Sequence, residues 1–455
     1  MKKGIFVCVL AVLLLTLAAC RQSTPEHTHT YGEWSVVTAP GCETAGEEKR
    51  TCACGEAETR PVAATGHTPG ADLACSACGK AQYSEGLSYT ENSDGTLTLA
   101  GLGSCTDTVL RVPATHEGKT VTAVADRAFE EQTALTGILL PDTVTTIGER
   151  AFYGCQGLVE MTLPASLTGI SRTMFGSCRN LTSVTIPAGI TTIQIEAFTR
   201  CDSLVNVYIS DLSAWCAIEF LGFSSNPLAR NGKLYVNGAL VTDLVIPDGV
   251  TKILANAFYG CSSITSVTMP SGVTEIGNSA FYECEGITTV TFSDHITYIG
   301  ASAFGGCGAL SSVALPTSLE GIAAGAFSRC VALSSVTFRE GITEIGARAF
   351  SDCKSLRSIE LPEGIDEMDI SLLTGCDALT AVLVPSSVRF IGVGVLSECP
   401  ALTAVYYNGT AAKWSEMGFA DKESFPTALV HYYSESAPTA AGSYWHYVDG
   451  VPTAW

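Results

Sequence analysis

A chain of 455 residues with 25 Lys and Arg against 45 Asp and Glu, and a net charge of −20, repels phosphate backbones, which argues against nucleic acid as a partner. Anionic membrane surfaces are disfavoured for the same reason. The length accommodates two or three ordinary domains or one long repeat array, so patterning has to decide between them.

Lys2 and Lys3 precede an unbroken apolar run from Ile5 to Leu15. A basic start, an apolar stretch of this length and small residues after it read as a secretory signal and not as a spanning helix. The stretch "LAAC", Leu17 to Cys20, resembles the lipobox of bacterial lipoproteins. That resemblance implies removal of residues 1–19, lipidation of Cys20 and a mature chain held at the outer side of the cell envelope by acyl groups alone. Residues 20–30 then form a lipid-anchored linker. No later segment is apolar for long enough to span a membrane.

Residues 31–82, preceded by His27 and His29, place Cys42, Cys52, Cys54, His67, Cys75 and Cys78 in a short Thr- and Ala-rich stretch. Cys75 and Cys78 form a C-x-x-C pair, and Cys52, Cys54 and His67 add further soft ligands. Three or four of these residues, His27 and His29 included, could close a tetrahedral structural zinc site, compensating for a core too small to hold the module together. Exported cysteines pair equally well as disulfides, or stand as free thiols on a stalk, and spacing leaves the three readings open.

Residues 83–127 read as strands around an Asp94-Gly95 turn, a hairpin signal, and are expected to cap a repeat array. From about residue 128 to 405 the chain repeats itself. Cysteines fall at 155, 178 and 201, then at 261, 284, 307, 330, 353, 376 and 399, every step being 23 except one of 60. Phenylalanine keeps the same beat at 129, 152, 175, 198, 258, 281, 304, 327 and 350, continued by Leu373 and Leu396, and a proline recurs in most units. In "LTSVTIPAGITTIQIEAFTRC", Leu181 to Cys201, apolar Leu181, Val184 and Ile186 alternate with hydroxyl residues as in a short strand. Pro187 stops that strand because it cannot donate to a ladder. A second short run, "GITTI", leads to a turn that buries Ala197 and Phe198. A unit this small cannot bury its apolar face alone, so the units must stack into a solenoid, about 50 Å long for eleven coils. In such a stack the cysteines form a column of unpaired, buried small hydrophobes.

The pattern L-x-S-V-x-[IL]-P-x-x-[VI]-T-x-I-G-x-x-A-F-x-x-C resembles the BspA-like, or treponemal-type, leucine-rich repeat. The resemblance implies an α+β to mostly β solenoid of 23-residue units with short strands and turns, preceded here by the small Cys/His module. It also implies a surface-exposed bacterial protein that binds an extracellular protein or glycan. The 31–82 segment resembles a small module found beside such repeats, which would act as a spacer.

The 60-residue step contains an insertion at 206–239, and the segment 406–455 partly echoes it: "LVNVY" at Leu204 and "LTAVY" at Leu402 are followed by Trp215 and Trp414. The structural reading makes the first a bulge with a hairpin at Asn231 and Gly232, and the second an aromatic cap and tail. The functional reading makes exposed Tyr208, Trp215, Phe220 and Phe223 a contact patch.

Catalytic machinery is not expected. The repeats hold one histidine, His295, and the chain lacks nucleophile-elbow, phosphate-loop and HExxH patterns. Glu160 and Glu360 are read as equivalent strand-face positions, but eight or nine coils, about 40 Å, separate them, too far for an acid and base pair. Outward positions are otherwise small: Ser183, Thr185, Ser266, Thr268, Thr289, Thr291, Ser312, Ser335, Thr337 and Ser358. The structural reading of this ladder is cross-strand hydroxyl pairing on a solvated sheet; the functional reading is a flat, weakly acidic platform for protein or glycan. A non-catalytic, lipid-anchored adhesion or partner-cell binding protein follows; a structural envelope spacer is the alternative, and a polysaccharide-active enzyme ranks below both.

Overall fold

The computed structural model describes residues 28–65, 77–78, 82–438 and 442–455. Residues 1–19, Cys20, His67 and Cys75 lie outside the described residues. Two compact units divide the chain, Met1–Gln82 and Tyr83–Trp455. No helix among the described residues is long and apolar enough to cross a membrane.

In the first unit, strands Ser35–Thr38, Gly46–Thr51 and Ala57–Val62 form an antiparallel sheet. Charge pairing across the last two strands fixes their register. Arg50 pairs with Glu58 at 2.6 Å and Arg60 with Glu48 at 2.8 Å, and both guanidinium groups lie over the Trp34 ring, at 4.8 and 4.3 Å. Apolar packing contributes little, because Cys52 is the one buried apolar side chain among the described residues of this unit.

The second unit is the expected solenoid. Each coil contributes a three- or four-residue strand to a first row of parallel strands and a two-residue strand to a second, each row being divided into several hydrogen-bonded sheets. Glu160–Thr162, Ser183–Thr185 and Asn206–Ile209 stack in register in the first row, and Gly169–Ile170 and Thr192–Ile193 in the second. Proline ends the first strand and opens a turn, its carbonyl accepting from the amide three residues on, as Pro164 does from Leu167 at 3.1 Å. The Asp94-Gly95 turn joins Ser88–Glu91 to Leu97–Gly101 as expected. Repeat geometry reaches back into the cap, since Val109–Arg111 pairs in parallel with Gly137–Leu139, and Lys119–Val124 with Thr146–Ile147.

Phenylalanine and cysteine form columns within the buried core of the stack. Phe129, Phe152, Phe175 and Phe198 stack at 5.3–5.5 Å between centroids, and Phe258 to Phe350 continue at 5.2–5.6 Å. Beyond each Phe the chain turns through a left-handed residue, and the cysteine follows it. In "AFYGC" that residue is Gly154 or Gly260, with φ of 72° and 69°, which explains the glycine of this motif. Each cysteine then points its thiol at the backbone of the coil before: Cys155 Sγ to the Phe129 carbonyl at 3.0 Å, Cys178 to Phe152 at 3.0 Å, Cys330 to Phe304 at 3.2 Å. The column is therefore more than small-residue packing. Most of these thiols add a second donor to a carbonyl that already accepts the amide closing its own turn, as the Phe152 carbonyl does from Cys155 N at 3.1 Å. Cys261 departs from this pattern and lies 3.5 Å from Ser263 Oγ, because the insertion has replaced the coil whose phenylalanine would have received it. All ten column cysteines are unpaired, and all are buried except half-buried Cys399.

The insertion is an enlarged coil. Asn206–Ile209 continues the first row, Glu219–Phe220 joins the second beside Thr192–Ile193, and Lys233–Val236 returns to the first row beside Asn206–Ile209. Between them Asp211 caps the short helix Leu212–Cys216, accepting from Ser213 and Ala214 amides at 2.8 and 3.1 Å. The hairpin expected at Asn231 and Gly232 forms instead at Asn237 and Gly238, where Val236 pairs with Ala239. Both residues there have positive φ, 49° and 81°, as a two-residue hairpin turn between twisted strands demands. Residues 404–454 repeat this plan: Ala404–Tyr407, helix Ala411–Ser415 capped by Thr410, Gly418–Phe419, Val430–Tyr433, and a closing hairpin of Tyr444–Val448 with Val451–Ala454. The sequence echo between the two segments is thus a structural duplication.

Candidate functional site

The first row of strands presents an outward face whose side chains alternate with the buried Val and Ile column. Along it Thr268, Thr289, Thr291, Ser312, Ser335, Thr337 and Ser358 are exposed and Ser183, Thr185 and Ser266 half-buried. The hydroxyls that tie coil to coil sit largely one residue earlier. Thr182, Thr265, Thr288, Ser334, Thr380 and Thr403 each donate to the carbonyl 23 residues before, at 2.9–3.1 Å. The face hydroxyls are left turned toward solvent, apart from contacts such as Ser266 to Asp243 at 2.6 Å. Glu160 and Glu360 both lie on this face, but not in one column. Glu160 opens its strand whereas Ser358 opens that of Glu360, so the expected equivalence is wrong by two residues, one step along the same face.

The four aromatic residues expected to form a patch do not come together. Trp215 is 1% and Phe220 4% exposed, edge to face at 5.3 Å, and the Trp215 indole donates to the Ala257 carbonyl at 3.0 Å. Both are core residues, and the expectation of exposed contact groups is corrected for them: an enlarged coil has more interior to fill, and these rings fill it. Phe223 is 62% exposed but lies beside Tyr259, at 5.9 Å, among the turns. Tyr208 alone stands on the strand face. Its ring stacks on that of Tyr235 at 4.8 Å, a partner that sequence reasoning missed, although "LYV" in Leu234 to Val236 repeats the alternation of "VYI" in Val207 to Ile209. The two tyrosines form a half-buried aromatic step on the strand face, in the sheet that carries Ser183 and Thr185.

In the first unit, His29, Cys52 and Cys54 are the one group of three or more metal-competent side chains among the described residues, their ligand atoms all within 4.8 Å of one another. The tight turn 52–56, in which Cys52 N donates to the Glu56 carbonyl at 2.7 Å and Gly55 N to the Cys52 carbonyl at 2.8 Å, brings the two cysteines together. A β-bridge between Tyr31 and Cys52 brings His29 to them. The Cys54 backbone and thiol, then His29, hold the Cys52 thiol down at about 7. Of the residues named for the module, half-buried Cys42 and exposed Cys78 are not part of this cluster, while His29 joins Cys52 and Cys54 in it. Its signal was the "HTHTY" stretch ahead of the module.

A family model for the BspA type leucine rich repeat region matches in six copies, over residues 120–220, 233–330 and 297–425. The chain belongs to the BspA-type leucine-rich repeat family. Solved structures are similar over most of the chain. A leucine rich cell surface protein from Faecalibacterium prausnitzii is 28% identical, covering 74% of this chain and 97% of its own, with a TM-score of 0.48. A leucine-rich repeat protein from Bacteroides ovatus is 22% identical, covering 76% and 98%, with a TM-score of 0.41. The pneumococcal vaccine antigen PcpA is 18% identical, covering 77% and 96%, with a TM-score of 0.43. No curated protein matches the chain.

In this BspA-type array the recurrent thiols are poor nucleophiles. Burial pushes Cys155, Cys201, Cys330 and Cys376 up to about 12, and Cys216 of the insertion to about 12 as well. At neutral pH they stay protonated, and nucleophilic or thiolate-ligand chemistry is closed to them.

Proposed function

We propose that this protein is a non-catalytic binding protein of the bacterial cell surface, anchored through acyl groups on Cys20 and presenting its strand face to an extracellular protein or glycan. The observation that carries this reading is the strand face itself: a broad run of small, solvent-directed hydroxyls that also carries the stacked Tyr208–Tyr235 pair. Small hydroxyls leave the surface flat and supply donors and acceptors for a polar ligand at low entropic cost, while the aromatic step supplies stacking area and an anchor. The lipobox-like Leu17 to Cys20 supports the anchoring, and a Cys20→Ser chain should appear in the soluble fraction instead of the membrane fraction of its host.

Binding is tested by screening the purified chain against glycan arrays and extracellular matrix proteins. The double variant Tyr208→Ala/Tyr235→Ala should weaken the captured ligand tenfold or more, a loss of about 1.4 kcal/mol or greater. Its thermal transition should stay close to that of the parent, because both rings are half-exposed. Absence of any saturable ligand would favour the spacer role, and undiminished binding by the double variant would move the site off this face.

A further inference from the structure

We propose that the module at the start of the mature chain is a zinc site, in which Cys52 Sγ, Cys54 Sγ and His29 Nδ1 bind one ion and Glu56 orients the histidine. Three observations independent of spacing lead there. The first is distance. Cys54 Sγ lies 3.3 Å from His29 Nδ1, and all three ligand atoms fall within 4.8 Å. For Zn–S of about 2.3 Å and Zn–N of about 2.0 Å at a tetrahedral angle, sulfur and nitrogen stand about 3.5 Å apart and two sulfurs about 3.8 Å. The Cys54–His29 separation is close to the sulfur–nitrogen value, and no pair in the cluster is farther apart than 4.8 Å.

The second observation is the group behind the histidine. His29 Nε2 lies 2.9 Å from Glu56 Oε2, so with a metal on Nδ1 the remaining ring proton, on Nε2, is donated to that carboxylate. A carboxylate behind a ligating imidazole is the usual outer partner of a zinc-bound histidine, fixing ring orientation and raising its basicity. The turn that carries Cys52 and Cys54 also carries Glu56, so two ligands and the orienting group come from five consecutive residues. Only His29 must be delivered from elsewhere, and the Tyr31–Cys52 bridge delivers it.

The third is the missing core. The described part of the unit buries one apolar side chain, Cys52, and its sheet is held on one face by two partly exposed Arg–Glu pairs. Surface ion pairs contribute about 0–1 kcal/mol each, which is too little to order a three-stranded sheet. A bound metal supplies what such small units lack, because ligand binding is coupled to folding. Two thiolates and an imidazole select zinc over calcium or magnesium, which take oxygen ligands. A tetrahedral ion has one further position beyond these three ligands.

The test uses the full mature chain, purified without chelators. Native mass spectrometry and elemental analysis should find one zinc per chain, and X-ray absorption at the zinc edge should show two sulfur neighbours with nitrogen or oxygen completing the shell. After replacement by cobalt(II), the thiolate charge-transfer band should fall by about half in Cys54→Ser and vanish in Cys52→Ser/Cys54→Ser. Glu56→Gln should keep the ligand set but bind the metal about 10–100-fold more weakly. Because the wild-type spectrum reports the ligands directly, an unfolded variant does not blunt the test. A mass-mapped Cys52–Cys54 disulfide, a metal-free chain, or zinc retained at full stoichiometry in the double variant would each overturn the assignment, the last by placing the ion elsewhere in the module.

Discussion

Replacing Phe327 by alanine should destabilise the solenoid by about 3–5 kcal/mol, the range for removing a fully buried aromatic ring without collapse of the site. Phe327 is 0% exposed and lies flat between Phe304 and Phe350, 5.5 and 5.6 Å away with interplanar angles of 5° and 2°. Its removal opens a gap in a column, and both neighbours lose a stacking partner. The backbone cannot close that gap. Phe327 N donates to Ala349 and its carbonyl receives the Cys353 thiol at 3.4 Å, so both coils are pinned. In a repeat array stability is a sum of coil and interface terms. The damage is therefore local, and urea unfolding followed by hydrogen exchange should show coils near Phe327 opening well before those around Phe152. Phe327→Leu should cost less than about 1.5 kcal/mol, since Leu373 and Leu396 already occupy this column. Val331→Ala, at a 45% exposed position, should stay within about 0.5 kcal/mol of the parent. Equal losses for Phe327→Ala and Val331→Ala would refute the column as a source of stability.

The period made the solenoid legible. Once Cys and Phe recur at one fixed step, the inward and outward sets of every coil are fixed by alternation, and the Ser/Thr face, the stacked rings and the unpaired thiols all follow. Legibility fails where the beat fails. Between Cys201 and Cys261 nothing in the composition says that Trp215 and Phe220 fill an interior and that Tyr235 does not. Burial there depends on a short helix capped by Asp211 and on a return strand that pairs with the first only after the whole enlarged coil has been traversed. The two Asn-Gly pairs, Asn231-Gly232 and Asn237-Gly238, are equal as turn signals. Only the pairing of Lys233–Val236 with Asn206–Ile209 decides that the chain reverses after the strand and not before it. The zinc ligands fail for a related reason. Cys52 and Cys54 are near neighbours and readable, whereas His29 joins them through a Tyr31–Cys52 bridge that no local spacing encodes.

Raising the pH from 7 to 10 should cost the solenoid about 6 kcal/mol through four buried thiols alone. Burial pushes Cys155, Cys201, Cys330 and Cys376 from the ordinary value of 9 up to about 12. A folded value above the unfolded one means that the unfolded chain releases its proton first. The stabilisation is thus complete below about pH 9 and is lost as pH rises from 9 toward 12. At pH 10 the unfolded thiol is about ten to one ionised and the folded one still neutral, a difference of about 1.4 kcal/mol per group. Four such groups weigh against a total stability of about 5–15 kcal/mol for a typical domain, so coils in both halves of the array should melt in mild alkali. Tyr259, which burial and then Glu283 push up to about 12, acts in the same direction at higher pH, and the thiol share has to be isolated from it. Serine does this. In Cys155→Ser/Cys201→Ser/Cys330→Ser/Cys376→Ser each hydroxyl can still donate to the carbonyl of the preceding coil but does not titrate. The quadruple variant starts lower at pH 7, and its urea stability should then fall by about 6 kcal/mol less than the parent's between pH 7 and 10. Parallel losses in the two proteins would leave these four thiols without a part in the alkaline melting.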